Sequence, residues 1–221
     1  MILVPQKIEV LFLLLRKFGF MGSIGVLWND ILYDYRKGVD TYAPIAGEDL
    51  FEGERLKTQN RYLPSPFSMV DVVMREVKKE LGSDFSEIGF IDYGSGKGKI
   101  LIAAVKYGFK RITGVEYSTQ VHDVAVRNMQ KLGLTDKITL VNGDATEFRP
   151  QPDDRVFYMF NPFMGEILEG CLRQIKSVKA QGKRILVVAN PVEDERFQKH
   201  FTKVVEGKTE VGQIHFCVYV D

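Results

Sequence analysis

Cysteine is scarce: the 221-residue chain has two, Cys171 and Cys217, too few for a disulfide framework. Read onto a helix and a strand, both are expected to be small buried hydrophobes in a reducing, cytoplasmic compartment. The three histidines, His122, His200 and His215, show no ligand spacing with one another or with the cysteines, so no metal site is expected. Net charge is nearly absent: the formal value is +1 and the sequence pI about 7.7. No global field therefore advertises nucleic acid or an anionic membrane. No apolar run reaches the roughly 18 residues of a spanning helix. Internal repeats and low-complexity tracts are missing. So is G-x-x-x-x-G-K-[ST], because Lys97 and Lys99 sit inside the glycine run, which leaves a P-loop reading unsupported.

What remains is an ordinary globular composition, 45% hydrophobic and 27% charged, long enough for one sizeable domain with an appendage. The first 35 residues are the appendage. Val10 to Leu15 is apolar on every side, Arg16 and Lys17 interrupt, and Phe18 to Trp28 carries no charge. A signal peptide fits poorly, since the run is short and basic residues follow it. One or two helices are expected, packing on the domain or on a second subunit; contact with a membrane surface is one alternative, because so apolar a patch would mark an interface if exposed, and a membrane anchor is the other. Residues 36–66 read as a polar, turn-rich connector of the length expected for a binding loop or lid. It ends in Tyr62-Leu63-Pro64-Ser65-Pro66, with Ser65 expected as the N-cap and Pro66 at the first helical position. The helix that follows is expected to bury Met69, Val72, Val73 and Val77 and to stop at Gly82. The chain divides into 1–61, a helical extension with a lid-like connector, and 62–221, a ligand-binding domain.

From Ile88 strands and helices alternate. Strands are expected at 88–93, 111–116, 137–141, 155–160 and 184–189, with helices over 97–107, 119–132, from Met164 to Val178, and a short one to about His200. A closing pair of strands lies between Val204 and Val220, joined around Gly212. The pattern implies an α/β fold with a doubly wound, mostly parallel sheet and one reversed strand near the C-terminus. In such sheets ligands sit at the carboxyl ends of the strands. Four successive strand ends here are polar or glycine-rich: Asp92 with Gly94, Gly96 and Gly98; Glu116; Asp144 in Gly143-Asp144-Ala145; and Asn161 in Asn161-Pro162-Phe163. Glycines at the first turn admit positive φ and a close approach of ligand to backbone. Glu116, about twenty residues on, is placed to accept from both ribose hydroxyls, and Asp144 to accept from an adenine amino group.

This ordered set resembles the class I S-adenosylmethionine-dependent methyltransferases over roughly residues 62–221. The finer likeness is to small bacterial methyltransferases of unsettled substrate, through Gly38-Val39-Asp40-Thr41, Tyr62-x-Pro64-Ser65 and the Gly-Ser-Gly-Lys-Gly turn. It is also similar to protein lysine N-methyltransferases. The resemblance implies a Rossmann-like seven-stranded sheet with a reversed C-terminal strand, and S-adenosyl-L-methionine as cofactor. It implies that Gly94, Ser95, Gly96 and Gly98 line the methionine half and that Asp92 holds the amino end, with Tyr62 and Ser65 nearby. Glu116 and Tyr117 would take the ribose side, Asp144 and the Ala145 backbone the adenine. Asn161, which also contacts cofactor, Pro162 and Phe163 would be the catalytic segment, although related amine methyltransferases often carry two prolines there. The implied reaction is N-methylation of an amine, a protein lysine ahead of a nucleobase or a small molecule. A nicotinamide-dependent dehydrogenase and a non-catalytic cofactor-binding module are the alternatives from other classes.

Overall fold

In the computed structural model, residues 30–43, 65–160, 163–209 and 213–221 are described. Residues 30–37 are helical. Then follow α1 (Phe67–Leu81), β1 (Gly89–Tyr93), α2 (Lys99–Ala104) with a 3₁₀ turn (Val105–Tyr107), β2 (Arg111–Glu116) and α3 (Thr119–Leu132). Next come β3 (Ile138–Asn142), β4 (Asp154–Phe160), α4 (Gly165–Ser177), β5 (Ile185–Ala189), α5 (Asp194–His200), β6 (Thr202–Lys208) and β7 (His215–Val220).

Seven strands form one sheet in the order β3-β2-β1-β4-β5-β7-β6. The pairs from β3 through β5 are parallel, while β7 runs antiparallel to both β5 and β6. This is the expected fold. The central strands β1 and β5 are buried at every residue, as a parallel sheet covered on both faces requires. Period-two alternation sends neighbours to opposite layers. Phe90 joins Met69, Val73, Val77 and Leu101 on one face; Ile91 and Tyr93 join Leu168, Leu172, Ile175 and Phe197 on the other. Both cysteines are buried free thiols, Cys171 in α4 and Cys217 in β7.

Local expectations shift at three places. Pro66, with φ −64° and ψ 146°, occupies the N-cap of α1, and no side chain caps that helix. Ser65 is freed for another partner: its Oγ accepts from the buried Tyr158 hydroxyl at 3.3 Å. The face of α1 is also rotated slightly, burying Val70 and Met74 together with Met69, Val73 and Val77, whereas Val72 is half-buried. Finally, α2 begins only at Lys99, because Gly98 at its N-cap holds φ +83°. The described part of the connector is not a solvated loop either: Val39, Thr41 and Tyr42 are buried. The Asp34 carboxylate accepts from the Thr41 N–H and hydroxyl, each at 2.7 Å. Among the described residues no helix is long and apolar enough to cross a membrane; most of the apolar segment 1–35 lies outside them.

Sheet order reverses between β1 and β4, which opens a crevice at the carboxyl end of β1. Gly114, in the middle of β2, lets the turn after β1 pack tightly against the sheet. A Cβ there would lie 2.4 Å from Leu101 Cδ1 and 2.7 Å from Ser95 Oγ. Gly114→Ala is expected to lose about 1–3 kcal/mol of stability through overpacking, seen as a lower urea midpoint at unchanged slope.

Candidate active site

The turn from β1 into α2 takes three left-handed steps, at Gly94 (φ 76°), Gly96 (φ 56°) and Gly98 (φ 83°). Side chains other than glycine would be strained at each. The turn is tied to the neighbouring strand, since the Gly94 and Ser95 N–H groups both donate to the Val115 carbonyl, at 2.9 and 3.1 Å. Glu116 completes the fastening. Its carboxylate accepts from the Gly96 N–H and from the Ser118 N–H, each at 2.9 Å. Asn142 Nδ2 donates to the Glu116 and Tyr117 carbonyls, and the Gly143 N–H donates to the Glu116 carbonyl at 3.0 Å. The ends of β1, β2 and β3 thus form one hydrogen-bonded rim.

Of the residues expected at this rim, the structure brings together Asp92, Gly94, Ser95, Gly96, Gly98, Glu116, Tyr117, Asp144 and Ala145. Asp92 and Ser95 are buried, and the Tyr117 ring is 41% exposed beside Glu116. Asp144 folds its Oδ1 onto the Thr146 N–H (2.9 Å) and hydroxyl (2.8 Å), an Asx turn that sets the buried Ala145 behind it. Phe163 reaches the turn from the far side of β4: its ring lies 3.6 Å from where a Cβ on Gly94 would stand. Tyr62, Asn161 and Pro162 lie outside the described residues.

Electrostatics distinguish the two ends of the sheet. At the amino end, Arg111 donates to Asp153 and Asp154 at 2.6 Å, and its hydrogen bond is the main cause that holds the Asp153 carboxyl down at about 2. At the carboxyl end Asp92 and Glu116 sit in a different setting. Burial pushes the Asp92 carboxyl well above the usual carboxylate range, and the charge of Glu116 adds to the shift. Burial also raises Glu116, outweighing the N–H groups of Ser118, Gly96 and Tyr117. No lysine or arginine among the described residues lowers either carboxyl. Ser95 Oγ and His122 Nε2 are buried without a hydrogen-bond partner among the described residues. An acid-lined crevice with orphaned polar atoms fits a cationic, polar ligand. It does not fit a diphosphate, whose charge would meet Asp92 and Glu116.

Several contributors escaped the sequence reading. Lys97 and Lys99, inside the glycine run, are buried and pair with Asp40 and Asp30. Asn190, just after β5, holds a left-handed φ of 56°; its Asn-Pro pair at a strand end was the available signal. The histidines and cysteines do meet once, contrary to the spacing argument. The β6–β7 hairpin gathers Glu206, His215 and Cys217, with their ligand atoms within 4.8 Å. Strand pairing supplies that proximity. Glu206 is already engaged there by the Lys203 ammonium at 2.8 Å.

A carboxyl whose value is raised by folding binds protons more tightly in the native state, so its penalty grows as pH climbs above the unfolded value. Asp92→Asn is therefore expected to raise the melting temperature of the ligand-free protein at neutral pH. Its advantage over the parent should widen between acidic and neutral pH in a series of thermal melts.

Comparison with known proteins agrees with this geometry. Residues 90–182 match the family described as Methyltransferase domain. Ribosomal protein L11 methyltransferase of Shewanella pealeana is 30% identical over 100 residues, which cover 45% of this chain and 31% of that protein. This chain thus spans about a third of the length of the curated relatives it matches. Among solved structures, a proposed RNA methyltransferase from Pyrococcus horikoshii superposes with a TM-score of 0.57 at 15% identity, covering 87% of this chain and 96% of that one. Magnesium protoporphyrin IX methyltransferase from Synechocystis, solved with bound SAM, superposes with a TM-score of 0.53 at 15% identity, over 70% of this chain and 78% of that one. The matched segment holds the glycine turn, the acid rim and the end of β4, and over that segment the chain is similar to a methyltransferase domain.

Proposed function

We propose that this protein methylates an amine, with a protein lysine as the favoured acceptor, and that the acid rim holds its cofactor. The observation that carries the reading is a buried Asp92 and a half-buried Glu116, neither lowered by a lysine or arginine among the described residues, beside a left-handed glycine turn at the sheet's switch point. S-adenosylmethionine, when bound, supplies a methyl carbon made electrophilic by a positively charged sulfur. Gly94, Ser95, Gly96 and Gly98 would line its methionine portion, and Asp92, with Tyr62 and Ser65, would hold the ammonium end. Glu116 would accept from the ribose hydroxyls beside Tyr117, while Asp144 and the Ala145 backbone would hold the adenine. Asp92 and Glu116 suit a cationic ligand, because positive charge offsets the repulsion between them.

Methyl transfer is an in-line displacement, so placing the attacking lone pair supplies much of the rate. Asn161 and Pro162, which follow β4 in the chain, are proposed to do that placing. The Asn161 side-chain carbonyl and a backbone carbonyl would accept hydrogen bonds from the amine, aim its lone pair and stabilise positive charge developing on nitrogen. Phe163, against Gly94, offers an aromatic face to a lysine stem or a cation. Both cysteines are buried, and burial pushes the Cys171 thiol up to about 12, which speaks against a covalent thiolate route. A protein acceptor is favoured by the near-neutral charge and by the matched relative, named as a methyltransferase of a ribosomal protein.

The expected outcome is thermal stabilisation by S-adenosylhomocysteine and none by NAD; the reverse would return the dehydrogenase reading. Asn161→Ala is expected to lower turnover by about 100-fold while S-adenosylhomocysteine affinity is nearly kept. Full activity in that variant would remove Asn161 from the chemistry. Incubation with methyl-labelled cofactor and fractionated cell extract should place label in protein. Label in RNA or in small molecules would reassign the acceptor.

A further inference from the structure

We infer that segment 30–43 is a working part of the cofactor site, and that Asp40, Lys97 and Asn128 are positioning residues that hold the glycine turn ready to bind. This rests on the assignment of that turn to S-adenosylmethionine given above. Lys97 stands between the left-handed Gly96 and Gly98, and its side chain is 2% exposed. Its ammonium donates to Asp40 Oδ2 at 2.7 Å and to the Ala43 carbonyl at 2.8 Å. Asn128, on α3, ties the knot. Its Oδ1 accepts from the Asp40 N–H at 2.9 Å, and its Nδ2 donates to the Asp40 and Lys97 carbonyls at 2.8 and 3.0 Å. One amide thereby holds both the turn and the segment.

Lys99 repeats the arrangement two residues later. It pairs with Asp30 at 2.9 Å, both side chains being 3% exposed, and its ammonium lies 4.8 Å from the Tyr42 ring centre and 5.3 Å from that of Phe67. Such rings stabilise a buried cation. On α3, Lys131 adds a hydrogen bond to the Gly38 carbonyl at 2.6 Å.

The energetics explain why an outside clamp is needed. Glycine loses more conformational entropy on ordering than any other residue, and three of the five residues 94–98 are glycine. If segment 30–43 detaches, Lys97 and Lys99 lose their counter-charges while still buried, a costly state. The turn must then rearrange to hydrate them. Docking of the segment and an ordered turn therefore favour each other, and a ligand that needs the ordered turn is linked to the docked segment reciprocally. Asp40 is suited to a test because its side chain is 46% exposed and its replacement leaves the core intact.

Calorimetry with S-adenosylhomocysteine, steady-state kinetics and amide hydrogen exchange on the full chain test the inference. For Asp40→Asn and Asn128→Ala, the Kd for S-adenosylhomocysteine and the KM for S-adenosylmethionine should rise together by about tenfold. KM should rise more than kcat falls. Asp40→Glu, which keeps the charge, should recover part of the loss. In the parent protein S-adenosylhomocysteine should slow exchange in residues 30–43, and in Asp40→Asn it should do so less. If Asn128→Ala fails to fold, the milder Asp40→Asn carries the test alone. Parent-like affinity in Asp40→Asn, or exchange in 30–43 that ignores the ligand, overturns the inference and leaves the cofactor assignment standing. Failure of the parent to bind S-adenosylhomocysteine overturns both.

Discussion

The Glu116 carboxylate, accepting from the Gly96 and Ser118 N–H groups, is the contact on which the rest of the active edge depends. It joins the end of β2 to the middle of the glycine turn and to the start of α3. A single half-buried acid thus ties together two βα units. Burial raises the cost of its charge, and the backbone donors only partly offset that cost. The same charge acts on Asp92. The crevice is in this sense built against its own stability in the ligand-free state, a common property of sites shaped for a charged ligand.

Acidic side chains occur at both ends of the sheet, and their surroundings differ. Asp153 and Asp154 are gripped by Arg111, and Lys110 adds a second cation at Asp153, as expected of groups that close off strand ends. Asp92 and Glu116 have no lysine or arginine of this kind among the described residues. The lysines nearest in sequence, Lys97 and Lys99, are committed instead to Asp40 and Asp30. Positive charge in the glycine run thus holds the N-terminal segment, while negative charge lines the crevice. That division leaves the two lysines of the run with counter-charges of their own and no role in lining the crevice.

The N-terminal segment changes meaning in the same light. Read as a chain, 36–66 is polar and rich in turn residues; folded, its first part buries Val39, Thr41 and Tyr42. Composition averaged over thirty residues hides a short anchor whose contacts are long-range, such as Asp40 to Asn128 across 88 positions. Periodicity carries no trace of such a contact, because it belongs to no repeating element.

Periodicity and punctuation in the sequence determined the alternation of strands and helices, the buried central strands, the reversed strand near the end and the glycine-acid rim. Each follows from local rules: strands buried on both faces are continuously apolar, and a sharp strand-to-helix turn demands glycine. Only the tertiary structure decided the rest. It assigned the N-cap of α1 to Pro66 and turned Ser65 toward Tyr158. It laid Phe163 on Gly94, brought His215 and Cys217 to Glu206 across a hairpin, and spent the buried lysines of the turn on the distant Asp30 and Asp40. These are pairings between residues far apart in the chain. Their energy comes from burial and charge neutralisation, which exist only once the layers have closed.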